Sequence, residues 1–316
     1  MKSEVIVLNG ASHLNISSTC AFVSSRFKGG ESYFKLNCSV RHKQVILFQS
    51  FPDTNNNLME LMLAIDTCKK SGASYIVVVL PIFPYARQDK RHSSGTPISS
   101  KIVCDMLAIN CDRVITFDIH NTAIQGMMNP RVIFDHISMS SFLAFHLKKE
   151  LGVMGDFVFV SPDAGAIKRT KELADKCGAK DLAIVDKTRT KASVVDEVKL
   201  IGNVEYRNCI VVDDMIDSAG TLKAVCQELS DKGAYDVICV ATHPILSTPS
   251  FSNLETENVR IINTLPIPSE QSADGFHWCG RPENMIVYDV SSFMSTLINK
   301  IKDGDNISPL IDEWKE

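Results

Sequence analysis

The stretch Cys209-Ile210-Val211-Val212-Asp213-Asp214-Met215-Ile216-Asp217-Ser218-Ala219-Gly220-Thr221 decides how this 316-residue chain is read. Residues 210–212 form an apolar run that reads as a buried strand. The run ends in two acids, Asp213 and Asp214, and a loop of small residues follows, Asp217-Ser218-Ala219-Gly220-Thr221. Beyond it Leu222, Val225, Cys226 and Leu229 fall on one face of a helix. Strand, small loop and helix make an anion cup. The N–H groups of the loop and first helical turn converge on one spot, and the helix dipole favours negative charge there. Carboxylates in front of the cup repel a phosphate but accept hydrogen bonds from sugar hydroxyls. Cup and acids together point to a phosphorylated sugar, with the phosphate in the cup and the 2- and 3-hydroxyls on the acids. The competing reading is an acidic strand end that only caps a helix.

Working outward, apolar strands alternate with helical patterns. Residues 4–8, 45–49, 74–80, 113–117, 157–160, 181–185, 209–212, 236–242 and 259–263 read as strands. The clearest helix follows Asn57, which can cap it, with Glu60 three residues on, Leu58, Leu61, Met62 and Ile65 on one face, and Gly72 at its end. This alternation predicts α/β architecture with largely parallel sheets. Residues 114–120 and 158–163 share one form, an apolar strand and then an acid, which hints at an internal duplication. The boundary between halves falls near 135–138, before the helical pattern 142–151, with no Gly/Ser-rich linker.

The length suits two domains of ordinary size. The hydrophobic fraction, 45%, is that of a globular protein. A net charge of −4 without a basic stretch argues against a nucleic-acid partner. The longest apolar runs, such as 75–81, are too short to span a bilayer, and the N-terminus does not read as a secretory signal. The ten cysteines form no Cys-x-x-Cys pair. They read as reduced core thiols of a cytoplasmic protein, not as zinc ligands or a disulfide frame.

Further motifs stand in order along the chain: Phe83-Pro84-Tyr85-Ala86-Arg87-Gln88-Asp89-Lys90, Asp118-Ile119-His120 with Ile124-Gln125-Gly126, Ser161-Pro162-Asp163-Ala164-Gly165, and Val185-Asp186-Lys187-Thr188-Arg189. The acidic strand and its loop resemble the ribose 5-phosphate loop of the type I phosphoribosyltransferase fold. With the other motifs, from Asn9-Gly10-Ala11-Ser12 to Asp303-Gly304, nearly the whole chain resembles ribose-phosphate pyrophosphokinase, the PRPP synthetase family. The resemblance implies two phosphoribosyltransferase-like domains, each a mostly parallel sheet flanked by helices. The first covers 1–137 and is joined by 294–316, with Leu297, Ile298 and Ile301 on an apolar face. The second covers 138–293 and carries the ribose 5-phosphate loop.

The activity implied is magnesium-dependent transfer of the β,γ-diphosphoryl group of ATP to the C1 hydroxyl of ribose 5-phosphate, giving PRPP and AMP. Such a transfer depends on in-line placement and charge neutralisation. By the resemblance, Lys187 and Arg189 are the catalytic cations of a mobile loop, with a polar segment 190–196 after them. Asp163, Ala164, Gly165 and Ala166 cradle the transferred diphosphate, with alanine at 166 where glycine is usual. Asp163 and His120 contact magnesium. Arg87, Gln88 and His120 meet ATP. Phe27 and Glu31 reach the adenine from a neighbouring subunit, with Gly29 between them where Asp or Asn is usual. Asp213, Asp214, Asp217, Ser218, Ala219, Gly220 and Thr221 bind ribose 5-phosphate. The implied assembly is a homo-oligomer, a dimer or larger and as large as a hexamer, without nucleic acid or membrane.

The family's regulatory phosphate or ADP site is depleted here. Ser39, Arg41 and Ser308 match it, whereas His92, Ser93, Gly95 and Asn306 depart from it. Two other readings stay open: a non-catalytic associated subunit of the same family, and a phosphoribosyltransferase. The first is marked by lost loop cations or an insertion in that loop. The second leaves the Arg87-Gln88 motif and the long N-terminal half unexplained.

Overall fold

A computed structural model of the chain describes residues 2–152, 154–191, 194–247, 250–254, 258–262, 264–265, 284–312 and 314, without the side chains of 186–198, 251 and 252. The strands are β1 (Ser3–Val7), β2 (Phe22–Arg26), β3 (Ser32–Leu36), β4 (Gln44–Phe48), β5 (Tyr75–Leu80), β6 (Arg113–Phe117), β7 (Ile133–Ile137), β8 (Val158–Ser161), β9 (Asp181–Lys191), β10 (Val194–Ile201), β11 (Asn208–Ile216), β12 (Asp236–Pro244), β13 (Asn258–Ile262) and β14 (Met285–Tyr288). The helices are α1 (Thr54–Lys70), α2 (Ser99–Leu107), α3 (Ser140–Leu151), α4 (Ile167–Cys177), α5 (Gly220–Asp231), α6 (Ser250–Leu254), α7 (Ser291–Asp303) and α8 (Pro309–Asp312).

The chain forms two compact units. The first comprises Met1–Ser138, Thr264–Pro266 and Val290–Leu310; the second comprises Met139–Asn263, Ile267–Asp289 and Ile311–Glu316. In the first, strand order is β1-β4-β5-β6-β7, all parallel. Its inner strands are nearly continuous apolar runs, as in Gln44–Phe48 and Tyr75–Leu80, because a parallel sheet is covered on both faces. The antiparallel pair β2–β3 stands apart as its own two-stranded sheet. Within this unit α7 buries Phe293, Met294, Leu297, Ile298 and Ile301, and the Phe293 ring meets Phe117 edge-on at 5.7 Å.

The second unit has strand order β10-β9-β8-β11-β12-β13-β14. Every neighbour pair is parallel except β9–β10. Five of its strands, β8-β11-β12-β13-β14, repeat the order and direction of β1-β4-β5-β6-β7. Each unit also inserts an antiparallel pair between its first and second core strands, β2–β3 in one and β9–β10 in the other. In the second unit β9 pairs with β8, so the chain leaves β8 on one side and returns as β11 on the other. Such a reversal opens a crevice at the C-terminal strand ends, where ligands of open α/β sheets bind.

Several expectations need correction. The helix α1 begins at Thr54 after Asp53, and Asn57 is a buried residue of its first turn, not its cap. The Asn57 side chain instead accepts from Asp53 N at 2.9 Å. Cys20 and Cys38 form a disulfide, with Cα atoms 5.6 Å apart. They lie just outside a hairpin in which Phe22 faces Leu36, so pairing of the strands brings them together. Cys68, Cys104, Cys111, Cys177, Cys209, Cys226 and Cys239 are buried free thiols. The segment that returns to the first unit is Val290–Leu310, against an expected 294–316. Ile311 stays with the second unit, where its carbonyl accepts from Ser141 Oγ at 2.6 Å and Lys176 Nζ at 3.2 Å. Among the described residues no helix is long and apolar enough to cross a membrane.

Candidate active site

In the second unit β8 pairs with β11 only through Cys209, Ile210 and Val211. The acid pair therefore emerges just past the last β8 contact, at the reversal of strand order. The strand does not stop at Val212 as the sequence suggested. It runs on to Ile216, held by β12 through Asp213 opposite Ala241 and Met215 opposite His243. Successive strand residues point to opposite faces, so the two acids have different surroundings. Asp214 is 2% exposed and Asp213 is half-buried. The Arg169 guanidinium on α4 sits 2.7 Å from Asp214 Oδ1. The Asp214 N–H donates to Asp213 Oδ1 at 2.8 Å. Loss of water around Asp213, and then the neighbouring Asp214 charge, push the Asp213 carboxyl up to about 8.

The cup follows. Ala219 has φ +62°, a left-handed conformation directly before the helical Gly220. That conformation costs a non-glycine residue about 1–2 kcal/mol, and such strain gathers at ligand sites. Neighbouring residues hold the loop in place. Ser247 Oγ donates to Asp217 Oδ1, Asn253 Nδ2 donates to Ser218 O at 2.8 Å, and Leu246 N donates to Ile216 O at 2.9 Å. A trans peptide directs its C=O and N–H oppositely. Anchoring the Ser218 carbonyl toward Asn253 thus turns the Ala219 N–H the other way. Gly220 and Thr221 are exposed at the start of α5, whose buried face is Leu222, Val225, Cys226 and Leu229, as read from the sequence.

After β8, Asp163 Oδ1 accepts from Gly165 N at 2.8 Å and Ala166 N at 3.0 Å, closing a 3-10 turn over Ala164–Ala166. Ala166 is 2% exposed, so its methyl packs inward and does not crowd the outer face of the loop. Lys187 and Arg189 lie on β9, where the backbone pairs Lys187 with Val198 in regular register and Arg189 with Val195 between two irregular steps. The polar segment 190–196, read as part of a mobile loop, is strand through Lys191 and again from Val194. The side chains of Lys187 and Arg189 lie outside the described ones.

In the first unit Arg87 and Gln88 are exposed in the loop after β5, and His120 is exposed in the loop after β6. These strands are neighbours, so the loops share one sheet edge. Asn121 Nδ2 donates to Asp89 Oδ2 and ties the loops together, and Ser99 Oγ donates to Gln88 Oε1 at 2.5 Å. Phe27 and Glu31 bracket the tip of the β2–β3 hairpin, closed by Phe27 N donating to Glu31 O at 2.9 Å. Phe27 is 58% exposed. Among the described residues no three His, Cys, Asp or Glu side chains cluster as a metal site. Sequence reading missed Arg169, Ser247 and Asn253. The signal for Arg169 was a basic first turn in α4 with no acid against the helix dipole. Nothing marked the other two, whose roles arise from the return of the chain after β12.

A family model described as the N-terminal domain of ribose phosphate pyrophosphokinase matches residues 9–109, and one described as the phosphoribosyl synthetase-associated domain matches residues 169–312. A ribose-phosphate pyrophosphokinase of Clostridium perfringens is 38% identical, with 91% of this chain and 88% of that protein aligned. One of Ralstonia nicotianae is 37% identical, with 95% and 93% aligned. This chain belongs to the ribose-phosphate pyrophosphokinase family. The fold agrees: the crystal structure of phosphoribosylpyrophosphate synthetase from Mycobacterium smegmatis superposes with a TM-score of 0.85 at 30% identity, over 96% of this chain and 100% of that one. Family membership makes the chain an enzyme of the transferase class with two phosphoribosyltransferase-like domains.

Proposed function

We propose that the chain is a magnesium-dependent ribose-phosphate pyrophosphokinase. The C1 hydroxyl oxygen of ribose 5-phosphate attacks the β-phosphorus of ATP. The bond from that phosphorus to the bridging α,β-oxygen breaks. AMP leaves with the electron pair, the hydroxyl proton is released, and PRPP remains. The observation that carries this reading is an acid pair and anion cup on β11, just past the last pairing with β8. In that reading the cup of Asp217, Ser218, Ala219, Gly220 and Thr221 takes the 5-phosphate, and Asp213 and Asp214 serve the ribose hydroxyls. The 163–166 turn takes the transferred diphosphate. Lys187 and Arg189 neutralise charge that develops on it, and Arg87, Gln88 and His120 hold ATP.

The donor set fits magnesium. Asp163 Oδ1 accepts from two amides of its own turn, which leaves Oδ2 as a carboxylate oxygen for the ion. Magnesium typically takes one or two carboxylates and completes its shell with water and substrate phosphates. Asp163 would hold it, and when bound it would supply charge neutralisation on the polyphosphate. Phe27, exposed at a hairpin tip, supports a homo-oligomer in which Phe27 and Glu31 complete the ATP site of another copy, in a dimer or a larger ring such as a hexamer. The buried free thiols favour a reducing, cytoplasmic setting, and the Cys20–Cys38 disulfide counts against it.

The test is product analysis with ATP, magnesium and ribose 5-phosphate. Equal amounts of AMP and PRPP are expected; ADP with a phosphosugar means γ-transfer and overturns the reading.

A further inference from the structure

The helix after the diphosphate turn begins against the usual charge rule. Its first turn holds Lys168 and Arg169 and no acid, although the helix dipole disfavours cations there. Arg169 is directed at Asp214, with Nη1 2.7 Å from Oδ1, and the pair is 26% and 2% exposed. A buried carboxylate is tolerated only when paired. The placement of Arg169 therefore serves Asp214 and not the helix. Asp214 in turn donates its N–H to the carboxylate of Asp213, the more exposed acid. The same helix follows directly on the Asp163 turn. The Arg169–Asp214 ion pair thus ties the strand end bearing the ribose acids to the element bearing the diphosphate turn. A new bond between sugar and diphosphate needs that spacing held.

Building on the pyrophosphokinase reading, we propose that Arg169 is a positioning residue for ribose recognition. Its guanidinium pins the Asp214 carboxylate, and through the Asp214 backbone N–H it sets the Asp213 carboxylate, which is the acid that meets the sugar hydroxyls. Arg suits this role because its planar fork fixes direction, which a Lys ammonium does not.

The experiment compares parent, R169K, R169M, D214N and the R169M/D214N double variant. It measures kcat, KM for each substrate, and calorimetric affinity for ribose 5-phosphate. R169M is expected to weaken ribose 5-phosphate about tenfold or more, the loss of one buried charged hydrogen bond, with KM for ATP unchanged. R169K should fall between R169M and parent. In the D214N background, adding R169M should change sugar affinity by less than about twofold, because coupled residues are not additive. An equal rise in both KM values, or multiplying effects of R169M and D214N, overturns the proposal. So does unchanged sugar affinity in R169M. If R169M does not fold, R169K and the double variant decide. The double variant leaves no unpaired buried charge, and it should match D214N in sugar affinity. A parent that makes ADP instead of AMP overturns the pyrophosphokinase reading, and the ribose 5-phosphate titrations then judge Arg169 alone.

Discussion

The two units share one five-strand parallel core and use the ends of its first two strands differently. In the second unit the loop after β11 is held from behind by Ser247 and Asn253, and its amides begin a helix at the surface. In the first unit the corresponding strands are β1 and β4, and side chains of the protein itself bond to one another past their ends. Asn9 Nδ2 donates to Glu60 Oε1 at 2.7 Å, and Gln49 Nε2 donates to Glu60 Oε2 at 2.8 Å and to Asn57 O at 3.0 Å. Glu60 is 5% exposed. A carboxylate of the protein thus sits among donors that in an open crevice could face an anion. Strand order reverses only in the second unit, where β9 pairs with β8 on the side away from β11; in the first unit β1 is an edge strand, and the Glu60 carboxylate takes up the donors at the ends of β1 and β4.

The hairpins contrast as well, and the largest predicted effect tests that contrast. Lys187 lies on β9 of a hairpin joined to the main sheet, whereas Phe27 lies on a hairpin standing apart. Lys187→Ala should lower kcat by about 10²–10³, roughly 3–4 kcal/mol of barrier, the usual loss for one donor to developing charge. Calorimetric affinity for ribose 5-phosphate should stay near parent. A turnover within a few-fold of parent removes Lys187 from the transition state.

Next in size is the paired test of the acid pair and Glu60. Replacing Asp213 and Asp214 together by Ala should abolish measurable ribose 5-phosphate binding and leave ATP binding little changed. Glu60→Ala should leave sugar binding alone and destabilise the fold by about 1–3 kcal/mol, since it strands buried amide donors. Sugar binding that survives the double replacement, or that falls with Glu60→Ala, breaks the comparison. Gly10 adds a steric counterpart. A Cβ there would stand 2.2 Å from Ser50 O and 2.8 Å from Gln49 Oε1, whereas one at Gly220 would meet nothing within 4 Å. Gly10→Ala should therefore cost about 1–3 kcal/mol by overpacking, read as a lower Tm. Gly220→Ala should fold normally and show any effect only in sugar binding.

How much of this was legible beforehand follows from where the forces act. The apolar run before Asp213 and the helical face after Gly220 are local patterns, and both were read correctly. The hairpin β2–β3, with alternating half-exposed residues in Ser32–Leu36, carries too little apolar signal to stand out from loops, and β14, though apolar, is only four residues long. The Glu60 cluster was half visible: Asn57 and Glu60 looked like a capping pair, because sequence spacing cannot show that Asn9 and Gln49 arrive from other strands. Arg169 was not singled out, because its partner Asp214 lies on a strand far along the sequence.

A smaller effect concerns pH. Burial, followed by the Asp214 charge, raises the Asp213 carboxyl from 3.8 to about 8. Its folded value exceeds the unfolded one, so the folded state holds the extra proton between them. Stability from this group is therefore full below about 4 and falls as pH rises toward 8. Only the ionised acid is a pure acceptor for sugar hydroxyls. The kcat/KM for ribose 5-phosphate should rise with pH through this region, and Asp213→Asn should flatten the rise. A parent profile already flat from pH 6 to 9 excludes Asp213 as the acid that meets the sugar; the pH range is roughly that bracketing the shifted group.

The smallest effect lies in the first unit, at the departures from the family's regulatory site. By the family resemblance, Ser93 and Gly95 stand where basic residues are expected, and Asn306 where serine is expected. A phosphate held by fewer cations binds more weakly, so activation by phosphate should be weak or absent, with ADP still competing at the ATP site. The local backbone reinforces the loss. Gly95 has φ +81° in a turn closed by Thr96 Oγ1 donating to Ser93 O at 2.8 Å. An arginine placed there must adopt a left-handed conformation at about 1–2 kcal/mol, so Gly95→Arg alone should not restore activation. Asn306 Oδ1 accepts from Ser308 N at 2.9 Å, a local turn that a serine side chain can also make; the missing cations therefore matter more than the missing hydroxyl. The measurement is initial rate against phosphate at constant free magnesium, for parent, Gly95→Arg and Ser93→Lys/Gly95→Arg. Strong saturable activation of the parent at low phosphate shows that other residues rebuild the site. Activation that appears only in the double variant ties the loss to these two positions.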